Sequence, residues 1–301
     1  MLKFLRNTRL FFEGVVKIIF VSKFRNYHKL VEPKLNTAII LGNGPSLNIE
    51  LAKPEFLKRL NSVDVVVVNF FNQSDFFEKI RPSYYVLAAP EFWIKDVAQL
   101  YIDLRTQLYL DFQTKVTWSM TLFIPFQAKK EKFWQEVVAK NPKITVVFYN
   151  IVAFEGSRSF MNFVMRKKLG QPRLHNIIGP SILNLIWLNY SKIYLTGVEH
   201  SWLPLIHVTQ NNEAVLGQPH FYDNNTTPEQ MNGPTGKRKL HEILHKFYVT
   251  FRGYFEIKNY ADSIGVEIIN LTENSFIDAF PKQNVGIFIS DSKSNSGSKK
   301  S

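Results

Sequence analysis

The run TAIIL (37–41) passes straight into GNGPS (42–46), and no other segment constrains the fold as much. An apolar, partly β-branched strand that stops on two glycines and a proline predicts a tight turn into a helix, with Ser46 in place as its cap. Further apolar runs recur along the chain: VDVVVVN (63–69), YYVLAA (84–89), SMTLFIP (119–125), ITVVFYN (144–150), KIYLTG (192–197) and VEIINL (266–271). Helical patterns lie between several of them, near 53–60, 130–140 and 180–190, and over a long stretch near 237–264. Strands that are apolar on both faces and alternate with helices predict an α/β fold with a mostly parallel sheet, covered by helices on both sides. In such a Rossmann-like sheet, ligands bind in the crevice beyond the carboxyl ends of the strands.

That core is expected to occupy residues 35–288. Within it, residues 198–236 are rich in Asn, Gly, Pro and Thr and carry no period, which predicts a long lid or active-site loop. The chain has no cysteine, which excludes disulfides, Cys-held metal centres and thiol catalysis. Its net charge of +12 is unevenly placed. Residues 1–34 hold eight basic and two acidic groups, so the body is only mildly basic and a nucleic-acid partner is not expected. Residues 1–34 form a basic amphipathic segment in which Leu5, Phe12, Val15, Val16, Ile19 and Phe20 share a helical face. Glu13 and Lys17 interrupt it, so it is too short in apolar length to span a bilayer. Two readings remain open: a helix lying on an anionic membrane surface, or a helix packed on the domain. The Ser/Lys-rich end (289–301) reads as a disordered tail.

Candidate ligand contacts gather at the predicted strand ends. Gly42 and Gly44 are expected to permit positive φ and close approach of a ligand to the backbone. Asn43 supplies an amide that both donates and accepts. Asn69 ends the second strand, suited to a base or ribose, and Pro90 lies in the turn after the third. No Lys-Ser/Thr follows the glycines, so this is not a P-loop.

The GNGPS turn, an Asn after the second strand, a Pro-containing turn after the third and the later KIYLTGVEHSW (192–202) resemble one group of proteins. It comprises the bacterial sialyltransferases with a GNGPS strand–turn, the MptE-like proteins and the motility accessory factors that glycosylate flagellin. The likeness runs from about Thr37 to Phe280 and is concentrated in 38–47 and 186–200. It implies an inverting glycosyltransferase that uses a nucleotide sugar, a CMP-linked nonulosonic acid in the sialyltransferases, without a metal or other cofactor. The acceptor would be a bacterial surface glycan or glycolipid of the lipopolysaccharide or capsule type. The enzyme would be cytoplasmic and peripheral to the inner membrane. By the same resemblance, Gly42, Asn43, Gly44 and Ser46 would face the nucleotide phosphate and ribose, and Asn69 the nucleotide. Gly179 and Ser181 of IIGPS (177–181) join this ligand-binding set. The family's third-strand Asn falls on Ala89 here, and its two phosphate-stabilising tyrosines fall near Ser201 and His207. Trp202, His207 or Tyr222 would take the tyrosines' place.

Glycosyl transfer needs a base for the acceptor hydroxyl, and histidine suits that role near neutrality. His175, His200, His207 and His220 fall within 46 residues. His220, in PHFYD (219–223), best matches the family's loop base. His200 and Glu199 follow the GVE turn and complete the candidate catalytic set. None of these residues has metal-site spacing. Lys237 and Arg238, expected to open the long helix, are candidates for an anionic partner. Two alternatives stand beside this reading: a Mg/ATP-dependent diphosphokinase of the MptE-like kind, and a non-catalytic scaffold that binds a nucleotide sugar.

Overall fold

The computed structural model describes residues 2–24, 28, 31–217, 228–233 and 236–291. Its centre is strand β1 (Thr37–Leu41), whose last four residues are buried on both faces, as continuous apolar runs require. β2 (Asp64–Val68), β3 (Tyr84–Val86), β4 (Met120–Pro125) and β5 (Ile144–Tyr149) follow on one side of it. β6 (Lys192–Thr196) and β7 (Glu267–Asn270) lie on the other. The seven strands form one sheet in the order β7-β6-β1-β2-β3-β4-β5, and every pairing is parallel. The doubly wound α/β expectation holds.

Alternation along the strands divides the interior into two cores. Ala38, Ile40, Val66 and Val68 point to one face, where they meet Ile182, Leu183, Ile186 and Tyr254. Ile39, Leu41, Val65 and Val67 point to the other, against Phe56, Leu108, Phe112 and Trp134. Helix α1 (Leu2–Val21), α2 (Leu47–Leu51), α3 (Pro54–Leu60), α4 (Gln99–Thr114), α5 (Lys132–Val138), α6 (Arg158–Arg166), α7 (Ile178–Trp187), α8 (Leu240–Ser263) and α9 (Val285–Ser290) supply the outer layers.

Local chemistry sets several helix starts. The Asn176 carboxamide oxygen accepts from the Ile178 and Gly179 amides at 2.9 and 3.2 Å, satisfying free N–H groups of α7. The Glu242 carboxylate reaches back to the Lys239 amide at 2.8 Å and fixes the start of α8. The long helix therefore begins at Leu240. Lys237 and Arg238 precede it instead of opening it, because residues 232–233 and 236–237 pair as a small antiparallel ribbon.

Three further expectations shift. α4, sixteen residues long, has a weak apolar period, with Leu100, Tyr101 and Leu110 exposed, and the pattern of the chain did not mark it. Helix α9 runs on to Ser290, past the expected boundary at 288, and seats Phe288, fully buried, beside Phe56 and Tyr194. The described part of the 198–236 stretch, expected as a loop, has structure of its own: strands Ile206–Val208 and Ala214–Leu216 pair antiparallel. They pack on α8 through a small core of Ala214, Leu216, Ile243 and Phe247, with Trp202 and Met231 at its margin. Among the described residues, no helix is long and apolar enough to cross a membrane.

Candidate functional site

The chain runs β1 to β5 in one direction across the sheet, then returns to place β6 and β7 on the far side of β1. The strand order therefore reverses between β1 and β6. At such a switch point the connections leave in opposite directions and open a crevice at the carboxyl ends of the strands. The residues that follow β1 and β6, GNGPS and GVEH, meet there.

Their contact is close. The Gly42 amide donates to the Thr196 carbonyl, and the Gly44 amide to the Gly197 carbonyl, both at 2.8 Å. The Ser46 amide donates to the Glu199 carboxylate at 2.6 Å. A Cβ on Gly42 would lie 2.3 Å from the Gly197 carbonyl oxygen, and one on Gly44 would lie 1.5 Å from Glu199 Oε2. The two glycines thus make room for the end of β6. Neither takes a positive φ, contrary to the sequence expectation; the left-handed residues here are Gly197 (φ 65°), Asn69 (φ 51°) and His200 (φ 50°). Ser46 does not cap α2 through its hydroxyl, as its sequence position had suggested. Glu199 takes that place, so a carboxylate sits where an incoming phosphate would have met the Ser46 amide. The second Glu199 oxygen and the Ser46 hydroxyl are buried without a hydrogen-bond partner.

Asn43 reaches across to the end of β2, its amide 3.4 Å from the Val68 carbonyl. Asn69 follows directly, held by the Tyr85 hydroxyl, which donates to its carbonyl at 2.6 Å. Pro90 opens a single helical turn at the same sheet edge, carrying Glu91. Asn43, Asn69, Pro90, Glu199 and His200 are therefore gathered at the carboxyl edge of the sheet.

His200 is rigidly placed. Its ring stacks on Trp202 at 4.2 Å between centroids, and Trp202 stacks in turn on Phe247 at 5.2 Å. His200 Nε2 lies 2.6 Å from the Tyr254 hydroxyl, which donates to Asn176 Oδ1 at 3.0 Å. Asn176 Oδ1 also accepts two backbone amides, so it is an acceptor and the tyrosine proton points to it. Nε2 of His200 must then be the N–H donor to Tyr254, which leaves Nδ1 with the ring's lone pair. Burial lowers the His200 pKa to about 3, so the imidazole is neutral at physiological pH.

One stripe of α8 forms a wall of this region. Lys246, Thr250 and Tyr254 are spaced i, i+4, i+8 and share a helix face. The Thr250 hydroxyl accepts from the His175 amide at 3.4 Å. Burial and the neighbouring Arg238 lower the Lys246 pKa, against the pull of Glu91. Burial raises the Glu91 pKa, with Lys246 opposing. His175 falls to about 4 through burial and the charges of Lys246, Arg173, Arg238 and His245. Glu91 of the β3 edge and the cations of α8 thus lie within electrostatic reach of each other. Lys246, Tyr254 and Asn176 escaped the sequence reading. The four-residue spacing of Lys246 and Tyr254 with Thr250 is no distinguishing signal, because the same helix also carries Glu242, His245, Arg252, Glu256 and Lys258.

Other candidates do not join this cluster. Gly179 and Ser181 are buried inside α7. A Cβ on Gly179 would lie 2.3 Å from Leu174, and the Ser181 hydroxyl donates to the Ile177 carbonyl of its own helix at 2.8 Å. Both are packed within the helix, and Gly179 gives α7 its tight seat beside Leu174. His207 is exposed on the Ile206–Val208 strand, opposite Val215. His220 and Tyr222 lie outside the described residues. Among the described residues, no three His, Asp or Glu side chains come together as a metal-ligand set. Beyond the Trp202–Phe247 stack, a groove of about 610 Å³ runs between Leu203, Phe251, Phe255 and Phe276.

Fold and site together define a doubly wound α/β protein with a polar crevice at its switch point. No protein-family model and no curated protein matches the chain. Among solved structures it is similar to the MAf glycosyltransferase of Magnetospirillum magneticum AMB-1, at 11% identity and a TM-score of 0.48, over 84% of this chain and 34% of that one. The chain spans about a third of that protein's length, and a likeness at this identity concerns the fold alone.

Proposed function

We propose that this protein is a glycosyltransferase that takes a nucleotide-activated sugar, in the finer reading a CMP-linked nonulosonic acid, and transfers it with inversion to a glycan or glycolipid hydroxyl. The observation that carries this reading is the switch point between the ends of β1 and β6, where Tyr254 of α8 holds His200 at the carboxyl edge of the sheet. Doubly wound sheets bind nucleotides at this point. Asn43 and Asn69 present amides there suited to a base or ribose.

The acceptor hydroxyl attacks the anomeric carbon, the bond from that carbon to the phosphate oxygen breaks, and the nucleotide leaves as its phosphate. The leaving charge needs cations or N–H donors. The amides of residues 42, 44 and 46 are committed to Thr196, Gly197 and Glu199. In this reading Lys246 and Arg238 therefore take over the phosphate role assigned to that turn. His220 accepts the hydroxyl proton. Glu199 and His200 hold the turn and the Trp202 platform in place. The proposal needs neither metal nor other cofactor, as the family resemblance implies.

A nucleotide panel tests it. CMP is expected to raise the melting temperature with EDTA present, while UDP, GDP and ATP with Mg²⁺ do not. Stabilisation by ATP only with Mg²⁺ would assign the crevice to diphosphokinase chemistry instead. His220→Ala is expected to lower CMP-sugar turnover by about a hundredfold or more while leaving CMP binding intact; full turnover in that variant would remove the proposed base.

A further inference from the structure

We infer that the outer face of α1 is a docking surface for an anionic lipid bilayer. The helix is seated on the body by its opposite face. Ile18 is buried, the Phe11 ring meets Phe160 at 4.5 Å, and a Cβ on Gly14 would be in contact with the Phe154 side chain at 3.4 Å and the Glu155 carbonyl oxygen at 3.5 Å. At its exit, the Lys23 amide donates to Asn150 Oδ1 at 2.9 Å, and Asn150 Nδ2 returns a bond to the Lys23 carbonyl at 2.8 Å. From Phe11 to Lys23 the segment is held on the body, so the outward residues over this span have no route into the core.

Those outward residues are large and apolar. Phe12 is 61% exposed, Val16 53%, Ile19 59% and Phe20 78%, and Phe24 just past the helix is 72% exposed. Positions 12, 16, 19 and 20 are spaced i, i+4, i+7 and i+8, which places them in one stripe. Single exposed apolar residues are ordinary in a soluble protein, but a continuous stripe marks a surface that is covered in use.

The charge around the stripe selects the cover. Lys17 and Lys23 are exposed beside it, and Arg9 is paired with Glu13 at 2.7 Å. Residues 1–34 as a whole carry eight basic and two acidic groups. A second copy of the chain would bring these like charges together, and protein interfaces are depleted of lysine at their cores. An anionic bilayer accepts the aromatic side chains at the level of its headgroups and attracts the flanking lysines. The helix lies in the interface, because no described helix is apolar enough to span it. This inference is independent of the catalytic reading, and its test needs no sugar donor.

The test is co-sedimentation of the full chain with vesicles. Binding is expected to vesicles of equal parts phosphatidylcholine and phosphatidylglycerol, to fall steeply at high salt, and to be absent with phosphatidylcholine alone. The double variant Phe12→Ser/Phe20→Ser, altered only at exposed positions, is expected to lose about tenfold or more in partitioning with an unchanged melting curve. Lys17→Glu/Lys23→Glu, which leaves the apolar stripe intact, is expected to lose binding to a similar extent. Failure to bind phosphatidylglycerol vesicles, or binding untouched by both variant pairs, overturns the inference. So does a lipid-free oligomer that the Phe12→Ser/Phe20→Ser variant dissolves, which would assign the stripe to a second copy.

Discussion

At the residue scale, the crossing of the GNGPS turn by the end of β6 depends on missing side-chain atoms. Gly42→Ala would put a methyl group 2.3 Å from the Gly197 carbonyl oxygen, which cannot move without displacing the end of β6, and 2.7 Å from a Val198 side-chain methyl. Gly44→Ala meets first the end of the Glu199 side chain, which can swing aside at the expense of its bond to the Ser46 amide, and then the Gly197 carbonyl oxygen at 2.7 Å, a looser backbone contact than the 2.3 Å at Gly42. Overpacking against backbone typically costs ~3 kcal/mol, and loss of one charge-assisted hydrogen bond ~2 kcal/mol. Gly42→Ala is therefore expected to be the more destabilising of the two in urea unfolding. Equal losses would mean that Glu199 is held as firmly as the backbone.

At the element scale, α8 does two jobs with two faces. Ile243, Phe247, Tyr254 and Ile257 bury it against the ribbon and the sheet, while the stripe Lys246–Thr250–Tyr254 turns polar groups toward His175, Asn176 and His200. Lys246 is partly desolvated beside Arg238, with Glu91 opposing the shift. Lys246→Ala is expected to weaken CMP binding about tenfold and to flatten its dependence on salt, with little change in stability. Isothermal titration at two ionic strengths checks this. Unchanged affinity would place the leaving phosphate elsewhere.

At the scale of the whole molecule, three histidines tie folding to pH. Burial lowers His28 to about 4, His175 to about 4 and His200 to about 3, against about 6.5 when unfolded. Between those values the unfolded chain binds more protons than the native one, so stability is complete above pH 6.5 and drains away as pH falls toward 4. His28, buried and 2.8 Å from Asn184, contributes on the order of 3 kcal/mol across that window. Glu91 and Glu256, whose pKa values are raised by burial, act in the opposite sense. The melting temperature is expected to drop steeply from pH 6.5 to pH 4.5, and His28→Gln to make that limb shallower. A flat profile would show that these rings stay solvated.

The alternation of apolar runs with helical segments determined a parallel α/β sheet, because burial on both faces leaves each strand no polar side to show. TAIIL followed by GNGPS likewise determined which strand end would turn sharply, since glycine and proline act through their own backbone. The sequence alone could not show that Glu199, 153 residues beyond Ser46, would cap its amide, or that Gly42 and Gly44 admit β6. These depend on two strand ends meeting across the switch point. Nor could it separate Gly179 and Ser181 from the site, because a small residue that seats a helix reads the same as one that admits a ligand. Only packing decided how α1 sits: helical periodicity shows that a helix has two faces, and the body it docks on decides which face is left over.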